Sequence, residues 1–376
     1  KIFMSGEVHK GLAGVLVDET RICQINKDEN LLFYYGYEIK DLTAKATYEE
    51  VSYLLAHGEL PTADQLKGYK ETLAQGRYLS DDLTSVLEKI PAGSNPMDVL
   101  RTGCSIMGSL EPETEDNNIV VIGSKLANRF CSMLMYWHHY VESGTRIETE
   151  TGEETVAGHF LHLLHGEEPD ETFRRALDVS LIIYAEHDFN SSTYAARIAG
   201  STLSDIYSCM TSAIGTLRGP LHGGANAKVM TTLEKFENPD QAEASVIDMI
   251  ANKVRLTGFG QRAYATADPR NAINRKWAKD LSDAAGDTAL YDIAERVESV
   301  MWREKKMFAN LDYYTAVIYK MCGLPTHIFP TLFLIARTCG LIAHITEQRA
   351  YNRLIHPSSQ FIGTEPRDFP ALEDRG

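Results

Sequence analysis

Apolar side chains recur with a helical period along most of this chain, and this pattern limits the folds open to it. From Ile39 onward they return about every 3.6 residues, and the segment from Gly58 to Pro61 ends the run. The same periodicity, with polar, glycine or proline joints, predicts further helices over 62–75, 81–90, 96–110, 118–141, 159–165, 173–187, 194–214, 227–236, 238–254, 272–279, 289–306, 313–322 and 330–345. We therefore expect a mainly α fold.

Two short strands are predicted before the first helix. Val17, Thr20 and Ile22 alternate in the manner of a strand, and residues 31–36 form a second apolar run. A small N-terminal β-ribbon is expected there. At the other end, residues 352–376 are polar and rich in proline, which predicts an extended arm.

Composition bounds the class of protein. With 376 residues, 44% of them hydrophobic, the chain can form two domains or one large core with a smaller one attached. Its 37 basic and 52 acidic residues give a net charge of -15, which argues against a general nucleic-acid surface. An anionic substrate would therefore need locally placed arginines.

Cysteine usage and hydropathy bear on the compartment. Six cysteines are scattered without a C-x-x-C pair, so we expect reduced thiols rather than disulfides or a zinc ribbon. The most apolar region, 328–345, contains Pro330, Arg337 and His344, and the first residues show no signal-peptide pattern. A soluble, cytoplasmic protein is expected, with no partner membrane.

Three histidines at helical spacing raise the question of a metal site. His159, His162 and His165 share one face of a predicted helix. Leucines fill the rest of that helix, and no acidic or cysteine ligand stands at a helical step within it. We therefore expect no metal there.

A histidine between glycines follows the helix over 194–214. Pro220 and the glycines around His222 break regular structure and let a ligand approach the backbone, while Asn226 is a candidate N-cap for the next helix. The positive end of that helix would favour a neutral imidazole that donates one hydrogen bond. A structural loop histidine is the alternative, and this segment alone does not decide between them.

Three further positions have both a functional and a structural interpretation. The polar end of the helix over 173–187, with His187, either faces a cleft or is a capped helix terminus. Asp312 is either a base or the N-cap of the helix that follows it. Arg337 lies in an apolar helix, so its charge is expected to pair with an anion, which is either a ligand or Glu347.

The glycine-bearing segment 258–270 is a candidate anion site. Gly258 and Gly260 expose backbone N–H groups, and Arg262 or Arg270 could add a positive charge. It is not a dinucleotide fingerprint, because no third glycine follows and helices surround it.

Three spaced motifs together resemble the citrate synthase family. They are Gly-Pro-Leu-His-Gly-Gly-Ala-Asn at 219–226, Gly-Phe-Gly at 258–260 leading to Asp-Pro-Arg at 268–270, and Asn-Leu-Asp at 310–312. The resemblance covers nearly the whole chain, and segments such as 158–167 and 266–270 look closest to its bacterial 2-methylcitrate synthase branch. It implies a two-domain helical homodimer with a large domain (1–222 and 323–376) and a small mobile domain (223–322). Both subunits would contribute to each active site.

The resemblance also implies a reaction. An acyltransferase of this kind condenses propionyl-CoA with oxaloacetate and water to 2-methylcitrate and CoA through an enol or enolate, with some activity on acetyl-CoA. Such chemistry needs a base for the α-proton and a donor for the enolate oxygen. Asp312 matches the family's base and His222 its donor. The CoA thioester is a substrate, and no bound cofactor is expected.

Binding residues carry over from the family in the same way. His187, Arg270 and Arg337 match oxaloacetate ligands, and two arginines suit two carboxylates. CoA would be held by two short segments: Gly223, Gly224, Ala225 and Asn226, and Arg255, Leu256, Thr257 and Gly258.

Two matched positions depart from the family pattern. At Gln261 the family carries a histidine that binds the oxaloacetate carbonyl and helps to deliver a proton, whereas glutamine donates a hydrogen bond but no proton. Loss of a positioned acid costs about 10² to 10⁴ in rate, so turnover should fall while binding survives. At His356 the family carries an arginine that reaches the partner subunit's site. Histidine replaces it only when protonated, so weak oxaloacetate binding should improve as the pH falls toward about 6.

Two alternatives remain open from the sequence. One is a citrate synthase that uses acetyl-CoA, because a single methylene in the acyl pocket changes selectivity by only about 1–3 kcal/mol. The other is a weakly active or non-catalytic homologue that binds CoA or oxaloacetate, in view of Gln261 and His356. Retention of Asp312 and His222 argues against a pure binding protein.

Overall fold

The computed structural model describes residues 8–12 and 14–375, and it confirms a mainly helical fold. Sixteen α-helices and one three-stranded sheet lie in this part of the chain. The helices are α1 Ile39–Lys45, α2 Tyr48–His57, α3 Ala63–Ala74, α4 Asp81–Leu87, α5 Pro96–Leu110, α6 Ile119–Ser143, α7 Val156–His165, α8 Glu171–Tyr184, α9 Ser191–Ser201, α10 Ile206–Leu217, α11 Ala225–Leu233, α12 Pro239–Ala251, α13 Pro269–Ala285, α14 Ala289–Lys305, α15 Leu311–Met321 and α16 Phe329–Ala350.

The N-terminal ribbon is confirmed, but its first strand begins later than the alternation suggests. Strands β1 (Cys23–Asn26), β2 (Leu31–Tyr34) and β3 (Tyr37–Glu38) form an antiparallel sheet in chain order. Asn30 adopts a left-handed conformation with φ 55°, which turns the chain tightly between the first two strands. Because this turn sets the register, β2 pairs with residues 23–26 rather than with 17–22.

Two predicted helices are each divided in two. The run from Ile39 contains α1 and α2, because Thr47 caps α2 by accepting a hydrogen bond from the N–H of Glu50. The predicted helix over 194–214 is α9 and α10. Leu203 lies between them at φ 63°, and the Asp205 side chain caps α10.

Helix α16 forms the centre of the core. It packs against α2, α6, α8 and α9, and its side chains are almost all buried. Among the described residues it is the one helix long and apolar enough to cross a membrane, but 94% of its apolar window is buried inside the fold. This burial is that of a central core helix.

All six cysteines are buried and unpaired, as expected for reduced thiols. They are distributed over the strand β1 and several helices rather than gathered at one place. Burial raises the pKa of each thiol, so each remains a neutral, apolar packing group.

Gly340 lets α16 approach the end of α8 closely. A Cβ atom at Gly340 would overlap the carbonyl oxygen of Ala185 and would lie 2.5 Å from Oε2 of Glu186. Both of these neighbours are rigid, because both are buried in the core. The segment Ala185 to His187 is therefore positioned by the absence of a side chain at residue 340.

Replacement of this glycine should be costly. We expect Gly340→Ala to lower the free energy of unfolding by about 1–3 kcal/mol, the usual cost of overpacking a core. Gly200→Ala is the matched control, since its Cβ would meet neighbours at ordinary distances of 3.6–3.9 Å. That control should be neutral or stabilising by up to about 1 kcal/mol, because alanine favours helix. Equal denaturant midpoints for the two variants would contradict this interpretation.

Candidate active site

The turn after α8 carries His187. Helix α8 ends at Tyr184, Asp188 takes a left-handed φ of 54°, and Asn190 caps α9 by accepting from the N–H of Thr193. Nε2 of His187 lies 3.0 Å from the hydroxyl of Tyr264. The capped-terminus interpretation is confirmed, and the capped turn orients His187 toward the segment 258–270. Burial, and then Arg270 and Arg337, lower its pKa well below the usual range, so His187 is neutral.

Asp312 is not a helix cap. Asn310 caps α15, because its side chain accepts a hydrogen bond of 3.1 Å from the N–H of Asp312. The carboxylate of Asp312 is thus free to act elsewhere, and its Oδ1 accepts a 2.6 Å hydrogen bond from the hydroxyl of Tyr184. Burial raises the pKa of Asp312, while the Tyr184 hydrogen bond and the positive charge of Arg270 oppose that rise. A buried carboxylate with a raised pKa is a suitable general base.

His222 is neutral, as the sequence predicted, but a different helix contacts it. Its Nε2 accepts a hydrogen bond of 3.3 Å from the N–H of Ser192, in the first turn of α9, and lies 2.9 Å from the hydroxyl of Ser192. An accepting nitrogen carries no proton, so the neutral ring carries its proton on Nδ1. Burial, and then Arg337, lower its pKa to about 4.

The start of α11 also differs from the prediction. Gly224, not Asn226, is the N-cap. Asn226 lies inside the helix with its side chain buried, and its amide donates to the carbonyl oxygen of Phe329 at 3.4 Å.

The two arginines have different environments. Nε and Nη2 of Arg270 donate to the two carboxylate oxygens of Asp268 at 2.9 and 2.8 Å. Burial opposes its charge, but the charge and hydrogen bonds of Asp268, together with the nearby tyrosines Tyr264 and Tyr34, outweigh burial and raise the pKa. Asp268 also accepts from the N–H of Leu311 at 3.1 Å, so it joins the start of α13 to the start of α15.

Arg337 retains an unused donor. Its Nε donates to the carbonyl oxygen of Tyr184 at 2.7 Å, and its Nη1 is buried with no hydrogen-bond partner among the described residues. Glu347 pairs instead with Arg197 at 2.9 Å, so the proposed pairing of Arg337 with Glu347 is wrong. Burial lowers the pKa of Arg337. A buried guanidinium group with a free donor is suited to an anionic ligand.

Phe333 brings these groups together. Its ring centroid lies 4.9 Å from the Tyr184 ring, 5.7 Å from the His222 ring and 4.7 Å from Cζ of Arg337. The charge of Arg337 lowers the pKa of His187, His222 and Asp312 alike, so the three lie within its electrostatic reach. The structure therefore gathers five predicted residues around one centre: His187, His222, Arg270, Asp312 and Arg337.

Two further predicted residues, Gln261 and His356, make none of these contacts. Gln261 is half-buried in the segment 258–270, whereas His356 is exposed on the C-terminal arm. That arm leaves the core at Ser201, whose hydroxyl accepts from the N–H of Ile355 at 3.1 Å.

The two predicted CoA segments lie at the ends of helices. Gly223, Gly224 and Ala225 form the turn into α11, and the segment Arg255, Leu256, Thr257 and Gly258 follows α12, with Arg255 exposed. Gly258 has a φ of 94°, and a Cβ there would lie 2.7 Å from a Val229 methyl group, so only glycine fits.

The three histidines of α7 have separate partners. His159 lies 3.1 Å from the hydroxyl of Ser132, His162 lies 2.9 Å from Glu153, and His165 lies 2.9 Å from the carbonyl oxygen of Cys322. Over residues 8–12 and 14–375 there is no group of three His, Cys, Asp or Glu side chains that could hold a metal.

Sequence reasoning missed the residues that hold the predicted ones in place. These are Tyr184, Ser192, Tyr264, Asp268 and Phe333. Asp268 had a readable signal, since an aspartate before proline at a helix start is a good cap and lies two residues from Arg270. The other four meet their partners only in the folded chain.

A buried carboxylate, a neutral imidazole and two arginines around one centre define an enzyme site suited to an anionic substrate. The family model for the C-terminal domain of citrate synthase matches residues 11–358, so the chain belongs to the citrate synthase family. A 2-methylcitrate synthase of Shewanella oneidensis is 43% identical, with 97% of each chain covered. A citrate synthase of Haloferax volcanii is 36% identical, with 99% of this chain and 100% of that one covered.

The fold is also similar to that of solved citrate synthase structures. A citrate synthase of Thermoplasma acidophilum, in a ternary complex with carboxymethyl coenzyme A and oxaloacetate, has a TM-score of 0.91 and 30% identity. The similarity covers 99% of this chain and 100% of that one. The chain is therefore a citrate synthase-type enzyme in sequence and in fold.

The Tyr184 hydrogen bond gives a testable prediction. Tyr184→Phe removes a donor that stabilises ionised Asp312, so the pKa of Asp312 should rise further. Activity that needs the carboxylate is lost as the pH falls through this pKa, so the acid limb of the kcat profile should move to higher pH. The rate at neutral pH should fall on the order of tenfold or more, since a hydrogen bond to a charged group contributes about 1.5–3 kcal/mol.

Tyr319→Phe is the control for that experiment. It deletes another buried hydroxyl group, which accepts from Ser180 at 2.9 Å and makes no hydrogen bond to Asp312. Its acid limb should stay in place. If the profiles of both variants move equally, the shift does not come from the Tyr184 hydrogen bond.

Proposed function

We propose that the protein condenses propionyl-CoA with oxaloacetate and water to give 2-methylcitrate and CoA, with lower activity on acetyl-CoA. The observation that carries this proposal is the buried Asp312 carboxylate. Tyr184 fixes one of its oxygens, and the other is left for a substrate proton. The similarity to the Shewanella oneidensis 2-methylcitrate synthase supports the choice of acyl group.

Proton removal would use two residues. The free oxygen of Asp312 takes an α-proton from the acyl-CoA, and Nδ1–H of His222 donates to the thioester oxygen as negative charge develops there. The helix-start N–H of Ser192 keeps Nε2 of His222 unprotonated, which holds the donor on the other nitrogen. A neutral donor suits an enolate, because it stabilises the oxygen without a full charge in the ground state.

Oxaloacetate would be held by its two carboxylates. Arg337 offers the buried Nη1, and Arg270 is held in a fixed orientation by Asp268. His187 lies within electrostatic reach of both, so it can meet a third polar atom of the substrate. The enolate carbon then attacks the ketone carbon, and the ketone oxygen becomes an alkoxide that takes up a proton in place of the one Asp312 removed. Water hydrolyses the resulting thioester to a carboxylate and the free thiol of CoA.

CoA binding, closure of the small domain, a dimer and a cytoplasmic location would accompany this chemistry. CoA would lie along residues 223–226 and 255–258, and the domain 223–322 would close over the substrates to exclude water. A homodimer would let His356 on the extended arm reach the partner's site. A cytoplasmic location accords with six unpaired thiols.

Release of free thiol tests the function. With oxaloacetate present, kcat/KM for propionyl-CoA should exceed that for acetyl-CoA by about tenfold or more, the usual worth of one methylene in a fitted pocket. Asp312→Asn should lower both rates by about 10² to 10⁴. A preference for acetyl-CoA would make the protein a citrate synthase, as its similarity to the Haloferax volcanii enzyme allows. No thiol release from either substrate would favour a binding protein.

Gln261 should limit the rate. We expect Gln261→His to raise kcat by about 10² or more, because histidine can deliver a proton to the new alkoxide and glutamine cannot. His356→Arg is the companion variant. It should lower the KM for oxaloacetate with little change in kcat, because arginine binds a carboxylate through two donors at any pH. If Gln261→His turns over no faster than the parent, proton delivery at this position does not limit the reaction.

A further inference from the structure

The turn between β1 and β2 makes a set of hydrogen bonds (the Asn30 grip) to residues 265–267, which follow Tyr264. Oδ1 of Asn30 accepts hydrogen bonds from three consecutive backbone N–H groups, those of Ala265, Thr266 and Ala267, at 3.1, 3.0 and 3.1 Å. Its Nδ2 donates to the hydroxyl of Thr266 at 2.9 Å. The carbonyl oxygen of Lys27, in the same turn, accepts from the N–H of Ala265 at 3.1 Å.

Residues 265–267 lie between two parts of the proposed oxaloacetate site. Tyr264 precedes them, and its hydroxyl lies 3.0 Å from Nε2 of His187. Asp268 follows them and holds Arg270 by two hydrogen bonds. Cζ of Arg270 lies 5.7 Å from the centroid of the Tyr264 ring. Because only three residues separate Tyr264 from Asp268, the position of these three fixes both neighbours.

The side chain at position 30 is not required by the turn itself. With φ at 55°, glycine would adopt this conformation most easily, and asparagine is among the few other residues that tolerate it. What asparagine adds is an amide group that bridges the hairpin to a segment more than 230 residues further along the chain. Because three N–H groups share one oxygen, each hydrogen bond is weak. Together they orient residues 265–267, which belong to no strand or helix.

We infer that Asn30 is a positioning residue for oxaloacetate. It touches no substrate and acts through Tyr264 on His187, and through Asp268 on Arg270. The inference rests on the proposed function, because it takes His187 and Arg270 as the groups that bind the substrate. The grip itself is a property of the folded chain and can be measured separately.

Asn30→Gly tests both steps. Glycine keeps the turn but removes the side chain and its four hydrogen bonds, so the protein should still fold, with a modestly lower melting temperature. Amide hydrogen exchange of Thr266 and Ala267 should become on the order of fivefold faster or more, since these N–H groups lose their acceptor, whereas Ala265 keeps the carbonyl oxygen of Lys27. The calorimetric Kd for oxaloacetate, and its KM where turnover is measurable, should rise on the order of fivefold with a smaller change in kcat.

Two further variants control the experiment. Leu203→Gly makes the same kind of backbone change at another left-handed position, φ 63°, on an exposed turn away from the site. It should leave oxaloacetate binding and exchange in 265–267 unchanged. Asn30→Asp keeps an oxygen acceptor for the three N–H groups and loses the donor to Thr266, so it should restore most of the exchange protection and of the affinity.

The outcomes separate the grip from the function. Unchanged exchange in 265–267 for Asn30→Gly would overturn the grip. Faster exchange with unchanged oxaloacetate affinity would overturn the positioning role. A parent protein that binds no oxaloacetate would overturn the proposed function and the positioning role together, while the exchange data would still decide whether Asn30 holds the segment.

Discussion

Arg337 is a charged group in the middle of a buried apolar helix, and much of the surrounding structure serves to accommodate it. A guanidinium group taken out of water costs several kcal/mol unless its donors are met. Tyr184 meets Nε through its carbonyl oxygen, and the Phe333 ring lies against the planar face. The same tyrosine donates its hydroxyl to Asp312. One residue at the end of α8 thus contacts both Arg337 and Asp312, so the separation of these two groups is set by the core.

Under the proposed function, the two arginines would hold the substrate in different ways. Arg270 is already matched by Asp268, so its orientation is fixed before any ligand arrives. Nη1 of Arg337 is buried without a hydrogen-bond partner among the described residues. A ligand that accepts a hydrogen bond from it would therefore gain more binding free energy. The pairing with Asp268 would fix the orientation of Arg270, and the unpaired donor of Arg337 would increase the affinity for the ligand. Burial is the main cause of the low pKa values of His187 and His222, and the positive charge of Arg337 lowers both further.

Local patterns predicted most of the helices, because helical periodicity and caps are properties of neighbouring residues. Helix α5 was predicted over the same 96–110 that the structure shows. The break at Leu203 was missed, since residues 202–205 between the two helices include no glycine or proline. Asn226 was mistaken for a cap that Gly224 provides. Spaced motifs singled out Asp312, but the Tyr184 hydroxyl that holds it lies 128 positions away. No local pattern records a contact of that kind.

Burial of all six cysteines has a practical consequence for studies of motion. Thiol reagents attack an ionised sulfur that is accessible to solvent. Each native cysteine is buried and has a raised pKa, so none should react. A cysteine introduced at Leu221, which is 97% exposed and next to His222, would therefore be selectively labelled without any native thiol being removed. A fluorescent or spin label there would report on the loop in the otherwise unaltered protein.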